Sequence, residues 1–169
     1  MPEVPVLESF LLRVTTSKAD QLAAYDVVPG RFPFPRDELI AQATSDRITL
    51  AGTHLRTADA LLLMADFRSS ISRFYYAMYH SARAITFASF GGDDHERHNI
   101  LPRNLPHDIA ERGRLEIQLT EARLLRNQAD YDPYPQSSTA WRADAQSLSA
   151  TSAKFVQACE EYALEKGYL

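Results

Sequence analysis

The sequence predicts an all-α fold, an antiparallel up-down bundle of four to five helices preceded by an N-terminal arm. Three observations carry this. Prolines stand at 2, 5, 29, 33, 35, 102, 106, 133 and 135, which leaves residues 36–101 and 136–169 free of them. Such stretches, rich in Ala, Leu, Arg and Gln, are where helices run. No stretch alternates apolar and polar residues with β-branched side chains, so no sheet is expected. The chain has 169 residues, 45% hydrophobic and 24% charged, which are globular proportions with enough length for one buried core.

A first helix is expected over about residues 5–25, with Leu7, Phe10, Leu11, Val14 and Leu22 on one side. Residues 26–35 (DVVPGRFPFP) break it, since Pro29-Gly30 is a turn signal and alternating Phe and Pro is extended chain. Residues 1–36 are therefore an arm, pinned by Phe32 and Phe34 to a bundle of residues 37–169. Asp37 caps the next helix, with Glu38 in its first turn. Leu39, Ala43, Arg47, Leu50, Leu55, Ala58, Leu62 and Ala65 carry its period, and Gly52 is a point of interruption. Ser69 or Ser70 caps a fresh helix to about Phe90, closed by Gly91-Gly92. Residues 93–106 read as a polar, solvated loop. Another helix spans about 113–129 and stops at Pro133 and Pro135. The last begins at Ser138 or Thr139 and ends at Gly167. Its stripe of Trp141, Ala145, Leu148, Ser152, Phe155, Cys159 and Tyr162 has the four-three spacing of a bundle seam, which, taken with a family resemblance, points to a homodimer.

Composition removes several function classes. Eighteen basic against 22 acidic residues give a net charge of −4, so no global basic field advertises nucleic acid. Lysine occurs only at 18, 154 and 166. Arginine suits bidentate phosphate contacts, although a GC-rich genome produces the same bias. The single cysteine, Cys159, excludes an intrachain disulfide framework and a cysteine-built metal site, and fits a cytoplasmic location. The opening MPEVPVLESF lacks the basic start and apolar core of a signal peptide, and the longest apolar run, 60–65, is too short to span a bilayer. Asp93, Asp94, His95, His98 and His107 repeat no known metal-site spacing, so neither metal nor cofactor is expected. Arg103, Arg112, Arg114 and Arg123 are interleaved with Glu111, Glu116 and Glu121, the pattern of a salt-bridged solvent face.

Two segments carry candidate chemistry. In residues 72–84, SRFYYAMYHSARA, Arg73, Tyr76 and His80 stand at i, i+3 and i+7 as one polar-aromatic stripe. Phe74, Met78, Ala82 and Ile85 face elsewhere and read as core. In residues 126–135, RNQADYDPYP, Arg126 and Asp130 form an i, i+4 pair and Tyr131 follows before the proline break. An antiparallel arrangement brings Arg126, Asp130 and Tyr131 against Arg73, Tyr76 and His80. Alternatively, Arg126 and Asp130 are only an exposed helix-end pair.

The pattern S-R-x-Y-Y-A-M-Y-H-S-A-R-A, followed by L-R-N-x-A-D-Y-D-x-Y, resembles HEPN-domain proteins, in particular a bacterial branch with an R-x-x-A-D-Y element. His98 followed by Leu101 and Leu105-Pro106 adds to the likeness, which covers about residues 47–163. The resemblance implies an up-down bundle, commonly dimeric, with its functional groove along the dimer interface. It implies toxin–antitoxin or phage-defence roles, either as metal-independent endoribonucleases or as inactive RNA- or nucleotide-binding relatives. Catalytic members carry an arginine, four to six residues and a histidine. Arg126 matches the arginine, but the histidine positions hold Tyr131, Asp132 and Pro133. A phenol is a poor general base at neutral pH, so His80 or His98 would have to supply the imidazole. The catalytic candidates are thus Arg126, His80 and Tyr131, with Arg73, Tyr76 and Asp130 for RNA or nucleotide binding. In some pairs of this family a nucleotidyltransferase antitoxin modifies a tyrosine near the arginine motif, and Tyr131 holds about that place.

Overall fold

The computed structural model describes residues 6–26 and 35–169, so the expected role of Phe32 and Phe34 lies outside it. Six α-helices appear among the described residues: α1 (Val6–Val14), α2 (Ala19–Asp26), α3 (Arg36–Leu63), α4 (Phe67–Phe90), α5 (Arg112–Tyr131) and α6 (Arg142–Glu165). Short 3-10 turns occupy Leu101–Asn104 and Ser138–Trp141, the second running straight into α6. The all-α expectation holds, with no strand among the described residues.

Several boundaries differ from the sequence expectation for local reasons. The single first helix is two. The hydroxyls of Thr15 and Ser17 donate to the carbonyls of Leu12 and Arg13, which satisfies orphan acceptors and closes α1. The backbone N–H of Ala19 then donates to Asp94 Oδ2 at 2.9 Å, so a distant carboxylate caps α2. Gly52 does not interrupt α3, because one glycine costs about 1 kcal/mol in a helix that packs along α4 for most of its length. Asp66, rather than Ser69 or Ser70, caps α4 by accepting from the Ser69 N–H, while Ser70 is buried one turn inside. Gly91 ends α4 at φ 69°, a left-handed position that suits glycine.

Helix α4 is the axis of the bundle. Phe74, Met78, Ala82 and Ile85 are fully buried, as expected, in one cluster with Leu115, Leu119, Leu148 and Phe155. Arg142 at the start of α6 lies over Phe67, and Cys159 near its end meets Ser81, so α6 runs parallel to α4. Ser72 meets Asp130 and Tyr76 meets Arg126, so α5 runs antiparallel to α4. The order is up-down-up-down for α3 to α6. All seven residues of the α6 stripe are buried inside this chain. That stripe packs the core and is not free to form the seam of a dimer.

The 93–106 segment is only partly solvated, with Asp94 and residues 97–100 exposed. Asp93 is 4% exposed, and Leu101, Pro102 and Leu105 are buried. Arg83 donates Nε–H to Asp93 Oδ1 at 2.8 Å and also reaches Oδ2, and Arg47 of α3 stands 3.8 Å from the same carboxylate. The Asp93 N–H donates to Ser17 O at 2.8 Å, and Lys18 Nζ reaches Asp93 O and Glu96. A side chain at Gly92 would place its Cβ 2.1 Å from Ala19 N, so only glycine permits this close approach. Val14 and Leu22 then bury against Leu39, Ile40, Ala43 and Phe87, each contributing on the order of 2 kcal/mol. Losing one partner of a buried ion pair costs about 3 kcal/mol or more. Asp93→Asn should therefore lower unfolding stability by about that amount in urea titration, whereas an unchanged midpoint would show the cluster to be dispensable.

Candidate functional site

One face of α4 carries Ser69, Ser72, Arg73, Tyr76 and His80, spaced by threes and fours. Antiparallel α5 brings Arg126 and Asp130 alongside, and α3 contributes His54. Together these eight side chains line an open cavity of about 460 Å³. Arg126 is braced from two sides. Its guanidinium donates to Tyr76 Oη at 2.6 Å, and its Nε lies 2.7 Å from Asp130 Oδ2 as an ion pair. Ser72 Oγ donates to the same carboxylate oxygen at 3.1 Å. The guanidinium carbon sits 5.2 Å from the Tyr76 ring centre and 5.5 Å from that of Tyr131, a cation between two phenols. At the base of the cavity, Arg68 donates to the carbonyls of Ala129 and Asp132 and fixes the end of α5.

Arg73 is different. It is exposed and lines the cavity, and it has no hydrogen-bond or ion-pair partner among the described residues. The lining thus holds two guanidiniums against one carboxylate, an excess of positive charge that an anion would balance. His54 and His80 stack with ring centres 5.2 Å apart and planes 1° from parallel. Burial pushes His80 down to about 3, helped by the charges of His54, Arg47, Arg83 and His98. Burial and the charge of Arg73 lower His54. His80 Nδ1 is buried without a partner. Both rings are neutral at pH 7. Among the described residues, no three His, Cys, Asp or Glu side chains gather in a way that could hold a metal ion.

Five of the six residues expected at the site meet here: Arg73, Tyr76, His80, Arg126 and Asp130. Tyr131 does not line the cavity. It is the last residue of α5, 72% exposed, with its ring against Arg126. His54, Ser69 and Ser72 are additions. Ser69 and Ser72 share the α4 stripe at i−4 and i−1 from Arg73, a signal the sequence carried. His54 comes from another helix, and no local pattern marks it. His98 does not line the cavity; it meets the Tyr76 ring edge-on and is stacked on Tyr79 with ring centres 4.2 Å apart.

A family model described as the HEPN domain matches residues 44–162. The chain belongs to the HEPN-domain family. The match takes in most of α3, all of α4 and α5 and nearly all of α6, so every residue lining the cavity falls inside it, while α1 and α2 fall outside. Membership points to a nuclease or an RNA-binding protein. No curated protein and no solved structure matched. Among the described residues no helix is long and apolar enough to cross a membrane.

The imidazoles give this site a pH signature. His80 is held below its ordinary value by burial, so on unfolding at acid pH it takes up a proton that the folded chain refuses. Its contribution is complete above about pH 6.5 and is lost as pH falls toward 3, with the lowered His54 and His98 acting in the same direction. Melting temperature should fall between pH 7 and pH 4, and His80→Asn should flatten that fall. An equal fall in both proteins would rule out neutral burial of His80 as its cause.

Proposed function

We propose that this HEPN protein binds the phosphate groups of RNA or a nucleotide in the cavity between α3, α4 and α5. The observation that carries this is Arg73, a cation without a partner among the described residues, beside a second, braced guanidinium at Arg126. Bracing by Tyr76 and Asp130 restricts the rotamers of Arg126 before any ligand arrives, which lowers the entropy cost of binding. Ser69 and Ser72 add hydroxyl donors around the same opening. Binding is favoured over turnover because His80, at about 3, matches poorly a proton transfer at neutral pH.

Arg73→Ala breaks no internal bond and should leave the melting temperature unchanged while weakening single-stranded RNA about tenfold in fluorescence polarisation. Arg126→Ala should weaken it at least as much. If neither variant differs from wild type, phosphate does not bind here. RNA cleaved by wild type in EDTA, and not by His80→Ala, would replace the binding reading with a metal-independent endoribonuclease in which Arg126 holds the phosphate and His80 moves the proton.

Two further parts of this reading concern partners. Ile117, Leu124 and Tyr131 are exposed on α5 at intervals of seven, an apolar line on the face of α5 roughly opposite Arg126 and Asp130. We assign a homodimer seam to this line. Leu124→Glu should give 19.0 kDa by light scattering where wild type gives twice that mass, and a monomeric wild type would remove the seam. A bacterial toxin–antitoxin or defence setting is consistent with the exposed Tyr131 phenol, which a nucleotidyltransferase partner could reach in the free chain. Cytoplasmic location and the division into arm (1–36) and bundle (37–169) are parts of the same proposal.

A further inference from the structure

Tyr76 also adjoins a second group of cationic and aromatic side chains that lies outside the cavity lining. Arg123 stands one turn before Arg126 on α5, on the same face. It makes no hydrogen bond or ion pair among the described residues, and its Nε is buried without a partner. His98 is held opposite. Its Nδ1 is hydrogen-bonded to Tyr75 Oη, its ring is stacked on Tyr79, and it meets the Tyr76 ring edge-on at 6.3 Å. Tyr79 is itself fixed, since its hydroxyl donates to Glu96 O at 2.6 Å and accepts from Arg83. The His98 imidazole is therefore a rigid group that still reaches solvent.

The charges around it have one sign. Arg123 and Arg126 from α5 and Arg83 from α4 all bear on His98 and, together with burial, lower its pKa. The neighbouring carboxylates are committed elsewhere: Asp93 to Arg83, Glu96 to Lys18, Asp130 to Arg126. Tyr75, burial-raised, stays a neutral phenol. A fixed imidazole in the field of an unpaired guanidinium, with no free carboxylate among these groups, is an environment completed by an anion.

We propose that Arg123 and His98 form a second phosphate subsite, so that cavity and subsite take two phosphates of one polynucleotide strand crossing Tyr76. This rests on the cavity reading above and narrows its ligand from any nucleotide to a strand. A mononucleotide carries one phosphate ester and occupies the cavity alone. Each phosphate gripped on a single strand adds about 0.7 to the slope of log affinity against log salt.

The test compares a labelled six-nucleotide single-stranded RNA with adenosine 5′-monophosphate on the full chain. Arg123→Ala should weaken the hexamer about tenfold and reduce its salt slope by about 0.7, leave the mononucleotide affinity unchanged, and be rescued in slope by Arg123→Lys. His98→Gln should weaken the hexamer without altering the mononucleotide. In wild type, the His98 ring proton followed by NMR should titrate at higher pH with the hexamer bound, because a phosphate favours the charged imidazole. Equal loss for both ligands in Arg123→Ala, an unchanged hexamer slope, or an unmoved His98 titration would each overturn the subsite. Loss of hexamer binding in Arg73→Ala under those same outcomes would leave the cavity reading standing. A wild type that binds neither ligand would overturn both.

Discussion

Asp93 is the point through which four parts of the chain are joined. Its carboxylate pairs with Arg83 of α4 and stands near Arg47 of α3, its N–H reaches Ser17 between α1 and α2, and its carbonyl takes Lys18. A carboxylate that is 4% exposed has given up nearly all of its water, so the guanidinium donors must replace that solvation. Burial, with the nearby charge of Arg83, pushes Arg47 down to about 10 against the pull of Asp93, still far above neutrality, so its guanidinium is charged at pH 7. The arrangement also decides where the following residues go. With Asp93 and Glu96 tied down, His98 falls on Tyr79 and Tyr75.

The site depends on a second constraint, the antiparallel contact of α4 and α5. Ser72 with Asp130 and Tyr76 with Arg126 are successive rungs one turn apart on each helix. Arg68 locks the end of this ladder by filling the carbonyls that α5 leaves open at its C-terminus. Arg126 is consequently anchored in the protein and Arg73, on the outer side of the same α4 face, is not. That contrast between a held cation and a free one gives the cavity both shape and charge.

Much of this was legible in residue spacing. The i, i+3, i+7 stripe of Arg73, Tyr76 and His80 and the i, i+4 pair of Arg126 and Asp130 each specify a face, and two faces on antiparallel helices meet. The α6 stripe was legible as a seam, but spacing cannot say whether a seam faces its own chain or another, and α4 claims it here. The 93–106 loop was misread at Asp93, whose charge looks solvated in one dimension. Only tertiary structure shows that Arg83 and Arg47 come to Asp93 from two other helices. His54 was missed for the same reason. Tyr131 was placed one helical step too far inward, since a position at the last turn of α5 points outward past Arg126. The Asp66 cap was missed because Ser69 and Ser70 are equally good capping types, and the choice is made by the Met64–Ala65 turn that positions Asp66.

The contacts that hold α1 and α2 to the bundle have a property of their own. From the arm's side many of them use the peptide backbone: the carbonyls of Thr15 and Ser17 and the N–H of Ala19. Lys18 apart, the polar side chains that make them, Arg47, Asp93 and Asp94, belong to the bundle. A main-chain contact is indifferent to which residue supplies it, so the socket is written in the bundle and only lightly in the segment it receives. The bonds from 15, 17 and 19 to the bundle do not depend on the side chain at those positions, although the Thr15 and Ser17 hydroxyls close α1, whereas Gly92 admits no alternative. Similarity between arms of this type would be recognised by the shape of the chain and by the glycine facing it, long after the letters of the arm had ceased to agree.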